Sequence, residues 1–507
     1  MKSWKERQEL GKNQRGVVSR TAQSEFPARD RRFDPIEILL TSEAGRVPKL
    51  LPLKYLRMSA SPFAFFRGAV SIMAADLARL PHCGLNVQLC GDAHVQNMGS
   101  FAAPDGRLIF DINDFDETIR GPWEWDVKRM AASIILAGRE AGQKRPARRA
   151  AAEAFVDSYC RSMSQFSHQP ILQVARHIIN REKGVRPIHD ALLESQRIKP
   201  VDLFKKLVAS GERRPPRFRD LRPICWRVTG KEAREVLASL KTYRETLSPE
   251  RKYLFDFFRP VDVGFKVVGT GSVGLRDYVV LLEGNGAKDP LFLQIKQEVK
   301  SAYASDLPAS QYDHQGRRAA EGQKAIQPAH DLLLGWTKFG GHEYLVRQLH
   351  DHKGSIDLKT LRGRGLEELA VVAGELLARG HARTGDMAAI HGYCGGGVKL
   401  QTPFATSPLI MRIRRKRTSP DSSLRSRRRK SGLRKEIPPD PQIRSICENW
   451  LRKLVYDTPY HDSFHAPACL PAVCRHMRIR AGWHRDSRRR HTIGRPVQAN
   501  HRIFRLR

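Results

Sequence analysis

The spacing of apolar positions changes character twice along this chain. Residues 1–50 read as a polar arm with a short ordered approach. From Ser61-Pro62, a helix-start signal, SPFAFFRGAVSIMAADLARL predicts one amphipathic helix ending near Pro81. Two strand-like runs follow, over 86–90 and 107–112. Gly121-Pro122 then introduces WEWDVKRMAASIILAGREAG. Its Val127, Met130, Ile134 and Ala137 recur at helical spacing and predict a buried helix. Further helical patterns lie over 149–165, 171–182, 199–210 and 230–246.

Near residue 260 the period shortens. VDVGFKVVGTGSVGLRDYVVLLEG and PLFLQIKQE read as strands separated by glycines. A helical segment over 316–334, which Pro328 ends or kinks, precedes a strand over 343–349 and a long helical pattern over 358–379. The expected class is α+β. A mainly helical lobe spans 51–260, a small β-rich lobe 261–355 and closing helices 356–395. Beyond about 395 the pattern dissolves, so 396–507 reads as a disordered basic tail in which only Ile446 to Val455 suits a short helix.

Charge sharpens that division. The net charge is +36 over 507 residues. Residues 400–507 alone hold 26 Lys+Arg against 7 Asp+Glu, so the body is only moderately basic. Nonspecific nucleic-acid contact through the tail is therefore expected. No apolar run is long enough to cross a membrane, and the polar N-terminus lacks the apolar segment of a signal peptide. Eight scattered cysteines without a CxxC pair argue against a disulfide framework or structural zinc and for a reducing cytoplasm.

Chemistry concentrates in two places. The first is Cys90-Gly91-Asp92-Ala93-His94-Val95-Gln96-Asn97, followed by Asp111, Asp114, Asp116 and Glu117. Asp and Asn are ordinary turn residues, but four acids within seven residues repel one another unless cations compensate. In phosphoryl transfer one Asp accepts the proton of an attacking hydroxyl, while an Asn and a second Asp hold Mg²⁺ on nucleotide phosphates. Asp126, near the next helix start, reads as an N-cap or as an anchor of this turn through backbone N–H groups. The second place is Gly269-Thr270-Gly271-Ser272-Val273-Gly274 between two strands, a setting that fits a glycine flap over phosphates. Lys296 lies one hairpin downstream, where a phosphate-pairing lysine is expected, with Glu321 on the next helix as its acid partner. HARTGD (His381 to Asp386) carries no assigned chemistry.

From about Tyr55 to Tyr393 the chain resembles the bacterial domain-of-unknown-function family 2252, through RMSASPFAFFRGAV, LCGDAHVQNMGSF, FDINDFDETIRGPWEWDVKRMAAS, VVGTGSVGLRDYVVLLEG, EYLVRQLHDHKGS and LARGHARTGD. More distantly, GDAHVQN resembles the catalytic loop of aminoglycoside phosphotransferase-like kinases, and NDFDETIRGPWEWD resembles their metal-binding segment. That resemblance implies Asp92 as base, Asn97 as metal ligand and Asp114 as second metal ligand, with Asp111 as the competing register. His94 and Asp126 would support the turn. Gly269, Gly271, Ser272, Gly274, Lys296 and Glu321 would hold ATP. Kinases place the glycine loop first; here it comes later, so the resemblance implies a circularly permuted, two-lobe kinase-like architecture. The 358–379 helix would close it.

The expected function is thus an ATP- and Mg²⁺-dependent phosphotransferase acting on an unidentified hydroxyl. The alternatives are a non-catalytic nucleotide-binding scaffold, or nucleic-acid binding through the tail. After Gly395-Gly396-Gly397 the family's apolar end gives way to Arg-rich sequence, which predicts a shifted reading frame. Resequencing the locus should reveal a frame encoding an apolar, helix-forming end. An intact frame with no such alternative downstream would refute it.

Overall fold

Three long helices bury the largest apolar surface: Trp123–Glu140, Arg145–Ser167 and Gly365–Thr384. They belong to a computed structural model that describes residues 2–24, 33–178, 185–197, 200–211, 214–286, 289–308, 312–349 and 354–405. The Trp123–Glu140 helix is buried almost all round, and so carries its polar side chains inside. Its Trp123 stacks on Tyr159 at 5.3 Å between ring centres.

The strands divide into a main sheet and three small ones. β1 (Asn86–Leu89) pairs antiparallel with β4 (Ile119–Pro122). Between them in sequence, β2 (Met98–Ala102) and β3 (Leu108–Ile112) form a hairpin. The two runs that flank the Asp-rich motif therefore sit in different sheets. β5 (Val208–Gly211) and β6 (Arg214–Phe218) form another hairpin. The main sheet is antiparallel and six-stranded. It contains β7 (Cys225–Arg227), β8 (Arg259–Lys266), β9 (Asp277–Glu283), β10 (Pro290–Glu298), β11 (Gly335–Phe339) and β12 (His342–Gln348), in the order β11-β12-β10-β9-β8-β7. A second apolar core lies between one face of this sheet and the Gly230–Glu245 helix.

After the sheet the chain returns to the helical core. β13 (Gly354–Ser355) adds to β2. The Gly365–Thr384 helix then runs back until Thr384 Oγ1 accepts the Gln88 N–H of β1 at 3.1 Å. Five residues before that end, Arg379 donates to Asp111 of β3 at 2.6 Å, both side chains 1% exposed. The helix that closes the fold is thus tied to the strands that frame the Asp-rich motif.

The class is α+β, as the periodicity implies, but several elements differ from expectation. The 61–81 segment is two helices, Pro62–Gly68 and Val70–Leu77, broken at Ala69 (φ −115°, ψ 36°). The 199–210 pattern yields a helix only to Leu207 before β5 begins. The 358–379 pattern gives one 3₁₀ turn and then the helix from Gly365. The polar arm contains a helix, Trp4–Val17, opened by a Ser3/Glu6 capping box. This helix packs on Met387–Cys394, with Arg15 Nε donating to Tyr393 O at 3.0 Å. Order also continues past 395: helix Val398–Ala405 buries Leu400 and Phe404 against the first core. The remaining tail, including the helix expected over 446–455, lies outside the described residues. Among the described residues no helix is long and apolar enough to cross a membrane.

Removing one partner of the Asp111–Arg379 pair strands a charge in the core. Asp111→Ala should lower unfolding free energy by about 3–5 kcal/mol in chemical denaturation. A loss under about 1 kcal/mol would contradict a structural role for the pair.

Candidate functional site

The turn after β1 is built from beneath. Asp126 lies in the first turn of the Trp123–Glu140 helix, fully buried. Its Oδ2 accepts the Cys90 N–H at 2.7 Å and its Oδ1 the Gly91 N–H at 3.0 Å. The carboxylate therefore does what a cap does, but for a turn remote in sequence. Gly91 adopts φ +83°, and a Cβ there would lie 2.2 Å from Glu117 O, so only glycine fits. His381 brings Nε2 to 3.4 Å of Asp126, and Tyr159 OH lies 2.8 Å from His381 Nδ1. The HARTGD segment, given no chemistry from sequence, thus supports the turn. Its Asp386 caps the following helix.

This support fixes Asp92, and Arg129 aims it. Arg129 comes three residues after Asp126, buried, with its guanidinium 4.3 Å from the Phe66 ring centre. Its Nε donates to Asp92 Oδ1 at 2.8 Å and its second nitrogen at 2.5 Å. Asp92 Oδ2 lies 3.7 Å from His94 Nε2, and the side chain keeps 20% exposure. Asn97 joins this turn to the acidic loop. Its Nδ2 donates to Asp92 O at 2.9 Å and to Asp114 O at 3.2 Å. With that nitrogen committed to main-chain carbonyls, the amide oxygen is the atom left to serve a ligand.

The sheet supplies the other side. Lys296 on β10, 3% exposed, hydrogen-bonds Asp116 Oδ2 and lies 3.5 Å from Asp114 Oδ1. Burial works against its charge, but the carboxylates of Asp114 and Asp116 overcome it and hold its pKa above the ordinary value. Asp116 also accepts from Ser272 Oγ of the glycine loop at 3.2 Å. That loop is gripped from outside: Arg46 donates to Gly271 O at 2.8 Å and Val273 O at 2.6 Å, and Arg57 to Gly269 O at 2.6 Å. Between loop and turn lies a cavity of about 780 Å³, lined among others by Asp92, Asn97, Asp114, Gly271, Ser272 and Lys296.

Nine of the residues singled out in sequence thus gather around or beneath one cavity: Asp92, His94, Asn97, Asp114, Asp126, Gly269, Gly271, Ser272 and Lys296. Gly274 ends the loop outside the lining, its carbonyl accepting the Val47 N–H at 2.7 Å. Two others lie elsewhere. Asp111 is paired with Arg379 and does not line the cavity, whereas Asp114 does. Glu321 points away from Lys296 and pairs with Arg317 at 2.7 Å, one helical turn before it. Helix Gln315–Ile326 instead turns Arg318 inward, donating to Asp116 O at 2.7 Å and Val299 O at 2.9 Å. The partner of Lys296 is Asp116, which the acid cluster contained but whose role spacing alone does not assign. Arg129 was also missed; a charged residue inside the apolar stripe of a buried helix was its signal.

A family model described as "uncharacterized protein conserved in bacteria (DUF2252)" matches residues 46–408, and the chain belongs to that family. The match runs past the helix ending at Ala405, so family-like sequence extends beyond the boundary expected at 395. No curated protein and no solved structure matches the chain.

Burial pushes His94 down to about 4, with Arg67 and Arg129 adding to the effect and Asp92 opposing it. In the unfolded chain an imidazole titrates near 6.5. Between these values the unfolded state binds the extra proton, so stability is lost as pH falls from about 6.5 toward 4. His94→Asn should flatten this part of the stability profile. An unchanged slope would show that His94 is not the titrating group.

Proposed function

We propose that the chain is an ATP- and Mg²⁺-dependent phosphotransferase acting on a hydroxyl acceptor, built on a kinase-like fold in circularly permuted order. The observation that carries this reading is the double hydrogen bond of Asn97. It ties the turn bearing Asp92 to the loop bearing Asp114, opposite a glycine loop and Lys296. The closing helix supports the permutation. It ends against β1, the strand that enters the Asp92 turn, where a kinase chain runs on without a break.

The donor set suits Mg²⁺. Among the described residues no three His, Cys, Asp or Glu side chains form a protein-only metal cage. Magnesium needs none, since it is commonly held by one or two carboxylates with substrate phosphates and water. Asp116 Oδ1 is buried without a hydrogen-bond partner beside Asp114, and one lysine faces both carboxylates. Asn97 and Asp114 would hold the ion, which neutralises phosphate charge when bound. In the proposed reaction Asp92 takes the proton as the acceptor oxygen forms its bond to the γ-phosphorus. The β–γ bridging P–O bond breaks and ADP departs with its electron pair. Arg129 keeps Asp92 Oδ1 fixed meanwhile, and Lys296 faces the phosphates.

ATP with Mg²⁺ should raise the melting temperature, since a ligand at 100 times its Kd stabilises by about 2.7 kcal/mol. Asp114→Asn should abolish most of that shift. Asp92→Asn should keep the shift but slow ATP turnover by about 10²–10⁴-fold. No shift in the wild type, or an unchanged one in Asp114→Asn, would refute the reading.

A further inference from the structure

The sheet wall of the cavity has a composition that nucleotide binding does not require. Lys266 of β8 and Gln294 of β10 line it, as does Arg347 of β12, opposite Gln294 in register. Asp277 of β9 lies buried on the rung that carries Lys296. Farther along the same face, Val279, Leu281 and Phe292 are apolar and packed beside Leu203 and Phe204 of the Pro200–Leu207 helix. The helix stops covering the face where the polar residues begin, and its Lys206 lines the cavity there. Small-molecule pockets grip flat apolar groups with apolar side chains. Here three cations share that place.

Their neighbours offset only part of this charge, through Asp277 behind the wall and Asp202 on the rim. Among the described residues, Arg347 donates to neutral oxygens, Gln294 Oε1 at 3.0 Å and Asn113 O at 3.3 Å. Gln294 in turn donates to Asp277 Oδ2 at 2.7 Å. Asp277 stands behind the wall, its carboxyl pushed up to about 6 by burial, and Asp202 lies one turn before Lys206 on the rim. Burial lowers the pKa of Lys266, Asp277 opposes this, and Arg347 and Lys206 depress it further. Like charges gathered on a concave wall are stabilised by an anion between them.

We propose that Lys266, Arg347 and Lys206 form a second anion subsite, separate from the Lys296–Asp114 centre, which binds a non-reacting phosphate group of the acceptor. The phosphate at this wall would orient the acceptor, its hydroxyl directed to Asp92. Assignment of that phosphate to the acceptor rests on the phosphotransferase reading; the anion subsite itself does not.

Inorganic pyrophosphate without Mg²⁺, titrated calorimetrically at fixed ionic strength, tests the subsite. Wild type should bind it. Lys266→Met keeps the aliphatic stem and should weaken binding roughly tenfold, the size of one charge-assisted hydrogen bond. Lys206→Ala, at an exposed position, should weaken it severalfold and guards against misfolding of the first variant. Equal binding by all three proteins would mean nonspecific attraction to a basic chain and overturn the proposal, as would no binding by wild type. The ATP–Mg²⁺ thermal shift separates the sources. Its retention in Lys266→Met assigns the subsite to the acceptor. Its loss in parallel with pyrophosphate binding overturns that assignment and gives the subsite to the nucleotide. Failure of the phosphotransferase reading shows instead as an ATP–Mg²⁺ shift that Asp114→Asn leaves unchanged.

Discussion

The Asp116 carboxylate is the joint on which this architecture turns. It belongs to the helical core's acidic loop, yet it holds Lys296 of the main sheet and Ser272 of the glycine loop. Its main-chain oxygen accepts from Arg318, on the helix that packs against the sheet. A buried lysine and a buried carboxylate are each costly alone, and breaking such a pair costs about 3–5 kcal/mol. Their pairing therefore constrains where the sheet sits over the Asp92 turn, and hence the shape of the cavity.

Below that joint the site is organised by hydrogen bonds to backbone. Asp126 holds Cys90 and Gly91, Asn97 holds Asp92 and Asp114, and Arg46 and Arg57 hold the glycine loop. Side chains thus fix main-chain segments that bear the functional groups, leaving Asp92 partly open to the cavity. Asp126 and Arg129 are buried beneath the turn they support, which explains why the Trp123–Glu140 helix carries charged residues on its buried surface.

Much of this was legible in the chain. Val127, Met130, Ile134 and Ala137 announce the buried helix because their spacing follows the helix period. GTGSVG announces a loop between strands because nothing around it has that period. Spacing left two registers for the second metal ligand, and the resemblance preferred Asp114 while keeping Asp111, because the two acids lie only three residues apart. Arg379, which claims Asp111, lies 268 residues away. Glu321 failed for a related reason. A helix of known extent still has an unknown rotation, and packing turned Arg318 inward instead. The Asp116–Lys296 pair spans 180 residues and joins two cores, so no local pattern encodes it.

The most direct test is a crystal structure of the full chain soaked with a non-hydrolysable ATP analogue and Mg²⁺. The account predicts a triphosphate between residues 269–274 and Lys296, with the ion at Asn97 and Asp114. A nucleotide bound elsewhere, or an ion held by other residues, would contradict it.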